Sequence, residues 1–111
     1  MTNVLAPAES DVAELAARFA LLADPLRLQI VTAIAAEQLC TCHLVEITGA
    51  KQATVSHHLR ILREAGVVEG EADGRFTWYR LKGDALDGVA AGLVRLASAG
   101  TPLRLRITCA S

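Results

Sequence analysis

The sequence predicts a mainly α fold (α+β), five helical stretches with one β-hairpin, and three observations carry that prediction. Apolar residues recur at helical spacing through Val12, Leu15, Ala16, Phe19 and Leu22, and again through Leu86, Val89, Ala90, Leu93, Leu96 and Ala97. Between these end stretches, Gly49 separates two short helical segments, and a glycine tolerates the left-handed conformation that a tight interhelical turn needs. After Gly66 the period changes. Val67-Val68-Glu69 and Phe76-Thr77-Trp78-Tyr79-Arg80-Leu81 are rich in β-branched and aromatic residues and flank a polar turn holding Asp73-Gly74. Helix, helix, helix-turn-helix, hairpin and helix is the order of a winged helix-turn-helix with an added terminal helix.

Taken in order, residues 1–8 read as a loose leader ending near Pro7, and the first helix opens at Glu9. Asp24-Pro25 restarts the chain, since aspartate is a preferred N-cap and proline is tolerated at the first helical position. The second helix runs to about Ala36, with Leu28, Ile30, Val31 and Ile34 available for burial. In the second half of the helix-turn-helix, Val55, Leu59 and Leu62 form one apolar face. Ser56, His57, Arg60 and Glu64 fall on the other, with small Ala53 among them. The last helix is expected from Asp84, and Gly88 and Gly92 within it suit close approach to a second helix. Residues 9–98 make one domain. The tail, 99–111, alternates Leu103, Arg104, Leu105, Arg106 and Ile107 and ends near Cys109. It fits either a short amphipathic strand or an irregular end.

Composition narrows the function classes. With 52% apolar and 21% charged residues the chain suits a globular domain, small enough that dimerisation would add stability. Its net charge of −1 gives no global basic field, so any nucleic-acid surface is a local patch. No apolar stretch reaches the length of a membrane span, and no basic region followed by an apolar one opens the chain, so a cytoplasmic location is expected. In a reducing compartment the close pair Cys40 and Cys42 reads as a metal or redox site rather than a staple. No nucleophile–base–acid constellation or phosphate loop is present, which argues against an enzyme.

Thr41 is a natural N-cap for a helix opening at Cys42. The cysteines would then flank the positive end of a helix dipole, which favours thiolate and hence soft metal ions. Arsenic(III) and antimony(III) prefer a few thiolates in a pyramidal arrangement, whereas tetrahedral zinc asks for four ligands. Cys109 is the candidate third thiolate, about ten extended residues beyond the last helix, a reach on the order of 30 Å. His43, a first-turn side chain, is expected to be exposed.

Three segments carry a family resemblance: ADPLRLQIV around Asp24, ATVSHHLRILREAGVVE from Ala53, and GRFTWYRL from Gly74. They resemble the signatures of the ArsR/SmtB metalloregulatory repressors, over roughly residues 10 to 98. The resemblance implies homodimers built on the first and last helices, an inverted-repeat DNA operator, and a metal ion or metalloid that releases the DNA. LCTCHL resembles the arsenic-responsive branch, with Cys40 and Cys42 at two of its thiol positions and Val45 where a third is expected. The zinc-sensing branch carries carboxylates and histidines along its last helix; Asp84 and Asp87 are here, but no histidine follows.

On that footing Lys51, Gln52, Thr54, Ser56, His57 and Arg60 are the side chains for bases and phosphates, and Arg75, after the hairpin turn, for phosphate or minor groove. Lys51 stands where the family often carries a capping serine and is expected to cap poorly. His58, at the edge of the apolar face, is expected to pack or to bond to backbone. The leading expectation is a repressor induced by arsenite or antimonite, other thiophilic metals remaining open. Alternatives are a cadmium, redox or persulfide sensor, and a winged helix used for protein contacts without DNA affinity. A bridge between Cys40 and Cys42 themselves would be strained, so a redox sensor is expected to pair Cys109 with one of them.

Overall fold

The computed structural model describes residues 9–103; the expected leader and Cys109 lie outside the described residues. Five helices and three short strands follow in order: α1 (Glu9–Leu22), α2 (Pro25–Ala36), β1 (Leu39–Cys40), α3 (Thr41–Thr48), α4 (Gln52–Glu64), β2 (Val68–Asp73), β3 (Phe76–Leu81) and α5 (Asp87–Ser98). Among the described residues no single helix is long and apolar enough to cross a membrane.

Asp24 caps α2 as its type and place suggest. Its Oδ1 accepts from the amides of Leu26 at 2.9 Å and Arg27 at 3.1 Å, satisfying two donors that the first turn leaves without helical partners. The Arg27 amide, opposed in part by desolvation and helped by the Leu26 amide, holds the Asp24 carboxyl below its ordinary value. The ionised cap therefore contributes stability fully above the ordinary aspartate pKa of 3.8, and loses it as pH falls through the lower folded value. Asp24→Ala is accordingly expected to lower the melting temperature at neutral pH, with the gap from wild type closing in acid; thermal denaturation across a pH series checks this.

The core gathers Ile30, Val31 and Ile34 of α2 with Leu44 of α3, Val55, Leu59 and Leu62 of α4, Leu39, and the hairpin's Val67 and Val68. Full burial of each such side chain contributes roughly 1.5–3 kcal/mol, and the α4 trio alone fixes which face of that helix looks outward. Leu28 does not join them. It is half exposed, because Leu26 and Ile30 already occupy the inward positions on either side of it.

β1 was not evident in the sequence and pairs antiparallel with β3, Leu39 opposite Tyr79 and Cys40 opposite Trp78, giving a sheet ordered β1-β3-β2. In the hairpin Asp73 pairs with Phe76, leaving Gly74-Arg75 as the loop. Only Gly74 takes a positive φ, 63°, so Asp73 ends the strand instead of entering the turn, and glycine at the first central position matches a II′ turn. Gly49 caps α3 at φ 71°, its N–H donating to the Val45 carbonyl. This is the turn the sequence predicts.

α5 begins at Asp87, not Asp84, because Gly83–Leu86 form turns that precede it. It packs mainly on α1. A methyl group at Gly92 would lie 2.9 Å from a Leu15 methyl, so that glycine serves α1–α5 contact within the chain, whereas Gly88 faces open space. Leu93, Val94 and Leu96 of α5 and Val12 of α1 remain more than half exposed.

Candidate thiol centre and nucleic-acid interface

Cys40, in extended backbone, is the N-cap of α3, and Thr41 is already helical, one position earlier than expected. The shift changes the fate of His43. At the third helical position its ring turns back, and Nδ1 accepts from the Cys40 amide at 3.2 Å, the return contact of a capping box. The same nitrogen lies 3.1 Å from Cys40 Sγ. His43 is thus half-buried rather than exposed, and its ring tilts against that of Trp78 at a centroid distance of 5.7 Å.

Cys40 is buried and Cys42 exposed, and the structure sets their two sulfurs together as a disulfide, the pairing that the sequence disfavours as strained. The reason is geometric. An extended residue followed by a helical turn puts the two Cα atoms 5.5 Å apart, within the usual span of a bridge. Reduced to thiols, the two cysteines would offer donors beside one ring nitrogen of His43; the three atoms lie within 4.8 Å of one another, a span that one ion can bridge with bonds of roughly 2.0–2.3 Å. These residues fit a thiophilic ion. The third sulfur expected from Cys109 lies outside the described residues, and Val45 is half-buried against the core. The signal for His43 is legible in retrospect: C-T-C-H sets an acceptor three residues after a cysteine that can stand as N-cap.

α3 packs on α4, so the thiol centre and the polar face of α4 belong to one helical pair. On α4, Gln52, Thr54, His57 and Arg60 are exposed and Ser56 is half-buried, while Val55, Leu59 and Leu62 are buried. Lys51 is the N-cap and makes no side-chain capping bond, as its type suggests. Arg75 is exposed at the hairpin tip. His58 is half-buried and, among the described residues, bonds to no backbone group; its Nδ1 lies 3.3 Å from the Arg27 guanidinium. Arg27 in turn donates to the carbonyls of Leu21 at 2.7 Å and Ala20 at 3.5 Å, at the end of α1. One side chain so links the end of α1 to α4.

The basic residues are not equivalent. A hydrogen bond from Arg80 Nε to Glu69, 2.9 Å long, raises the arginine's pKa further, and Glu71 stands 3.7 Å away. Arg80 is thereby spent on cross-strand pairing, and the exposed cations of this half of the described chain are Lys51, Arg60 and Arg63 at α4, Arg75 at the hairpin tip and Lys82 just after β3.

Residues 24–70 match the family model described as bacterial regulatory protein, arsR family. The cadmium resistance transcriptional regulatory protein CadC of Listeria innocua is 40% identical over 76 residues, 68% of this chain and 64% of that protein, so the chain spans less than two thirds of that relative's length. The arsenical resistance operon repressor of Staphylococcus aureus is 34% identical over 80 residues, covering 72% of this chain and 77% of that protein. Among solved structures, an ArsR-like transcriptional regulator from Rhodococcus sp. RHA1 superposes with a TM-score of 0.67 at 30% identity, over 81% of this chain and 85% of that one. These relatives are regulators and not enzymes, the solved one shares the fold described above, and the chain belongs with them to the ArsR/SmtB family of transcriptional regulators.

Proposed function

We propose that the chain is a homodimeric, cytoplasmic repressor that binds an inverted-repeat operator and is released when a thiophilic inducer is held by Cys40 and Cys42. The observation that carries this reading is the cysteine pair at the start of α3, a helix packed directly on α4. Residues 9–98 form the working domain, with 1–8 as leader and 99–111 as tail. His57, Gln52, Thr54, Ser56 and Arg60 read bases or hold phosphate, joined by Lys51 at the start of α4 and Arg75 on the wing. Arsenite and antimonite are the inducers proposed first, since a pyramidal ion needs few sulfurs. Likeness to the repressor of an arsenical resistance operon and to a cadmium resistance regulator supports a thiophilic ion.

Release requires that the ion bind the off-DNA conformation more tightly. A hundredfold preference is worth about 2.7 kcal/mol, enough to move a poised equilibrium. Ligation at Cys40 and Cys42 acts on the first turn of α3, and through α3 on the seating of α4.

A second reading is favoured by the contact between the two sulfurs. Cys40 and Cys42 would sense an oxidant such as peroxide, the two thiols losing two protons and two electrons to form the bridge while peroxide is reduced to two waters.

The test is fluorescence anisotropy on an operator duplex obtained by selection, titrated in parallel with arsenite, antimonite, cadmium, zinc and peroxide. Arsenite or antimonite is expected to release wild-type protein, and Cys40→Ser and Cys42→Ser to hold the operator at every concentration. Release by peroxide alone would leave the redox reading standing. Full arsenite response in Cys40→Ser would remove the inducer site from these residues, and absence of any DNA binding would make the chain a protein-interaction module.

A further inference from the structure

We propose that His43 is the third ligand of this centre, and that Cys40, Cys42 and His43 form a site for a divalent thiophilic cation, cadmium or zinc, closed within the first turn of α3. The inference rests on the reading of the cysteine pair as the inducer site. It replaces a sulfur from the distant tail by a nitrogen already beside the pair.

Three features support it. The donors come from four consecutive residues and lie within 4.8 Å of one another, so a single ion meets all three with no long segment to order. The ring is held in place: β1 sets Cys40 opposite Trp78, and Trp78 carries His43 against its own ring, so one strand pair positions both a sulfur and the nitrogen. His43 also lines a groove with Leu39, Ala33 and Ile47, and Glu37 and Glu46 line the same groove. Two carboxylates there raise the local concentration of a cation and do nothing for uncharged arsenous acid.

Donor chemistry separates the ions as well. Two thiolates and an imidazole, with a water in the fourth position, suit zinc and cadmium, whereas arsenic(III) draws its affinity from sulfur. Ligation also has a mechanical result. The Nδ1 lone pair that accepts the Cys40 amide is the one nearest the sulfur. An ion that takes it exchanges the cap of α3 for a metal bond and loosens that first turn. Divalent cations would thus act on α3 through a group that the arsenite response does not need.

The experiment uses the full chain, reduced with a phosphine, and titrates cadmium and arsenite separately. Cadmium binding is followed by the thiolate-to-cadmium absorption band and by fluorescence of Trp78, the sole tryptophan and a direct neighbour of His43. Cadmium X-ray absorption on wild type is expected to show two sulfurs and an imidazole. His43→Gln should lose the imidazole signature and bind cadmium roughly tenfold or more weakly relative to arsenite. Three sulfurs and no imidazole in wild type would overturn the proposal without any variant, as would an unchanged cadmium-to-arsenite ratio in His43→Gln. Cys42→Ser separates the two levels. If it responds to both ions as wild type does, the cysteine-pair reading itself fails; if it loses both while His43→Gln alters neither, only the assignment of His43 fails.

Discussion

A lysine in place of Leu93 is expected to leave the protein monomeric and to weaken operator binding by more than about a hundredfold, or roughly 2.7 kcal/mol. α5 gives little of itself to its own protomer. Val89 and Gly92 are buried, but Leu93, Val94 and Leu96 stand 51%, 62% and 68% exposed, and Val12 on neighbouring α1 stands 51% exposed. An apolar patch of this kind on two packed helices marks an association surface. In a two-fold interface each substitution occurs twice, so Leu93→Lys would set two charges against apolar surface at once. A dimer holds two half-sites together, so its loss costs more than one subunit's contacts. Sedimentation across a concentration series measures the first effect and anisotropy the second. An unchanged dimer mass would remove α5 from the interface.

His57→Ala is expected to lower operator affinity by about tenfold to a hundredfold, the range for losing a good base contact, while barely changing affinity for random DNA. His57 is exposed on the face of α4 opposite its buried trio, on the turn after Gln52 and Thr54. Arg75→Ala should behave differently. At the wing tip it would meet backbone or minor groove, so its loss should weaken all duplexes alike and reduce the salt slope by about one. Equal losses on operator and random DNA for His57→Ala would take base reading away from this residue.

Much of this architecture could be read from residue order alone, and the parts that could not share a cause. The inward face of α4, the Asp24-Pro25 start of α2 and the Gly49 turn are set by local rules, periodicity and capping, which need no partner. β1 is only Leu39-Cys40, and its strand state depends on Tyr79 and Trp78, some forty residues away along the chain. Leu28 sits in a helix too apolar for periodicity to choose a face, so the choice fell to packing. The place of His43 turns on a single residue in the cap. With Thr41 as N-cap it points to solvent, and with Cys40 as N-cap it folds back on the sulfur. Element boundaries are the weakest inference from sequence, and here one boundary decides whether a ligand is seen.

The guanidinium that ties the end of α1 to His58 has a consequence for the geometry of the DNA target. If α1 and α5 form the dimer axis, Arg27 is the strut that sets how far and at what angle each α4 stands from that axis. Half-sites on B-form DNA repeat about 34 Å apart, one helical turn, and a reader that drifts along the axis also drifts around the helix. In such a dimer residue 27 would govern the phase of the operator, the number of base pairs between its halves, while the face of α4 would govern the letters within each half.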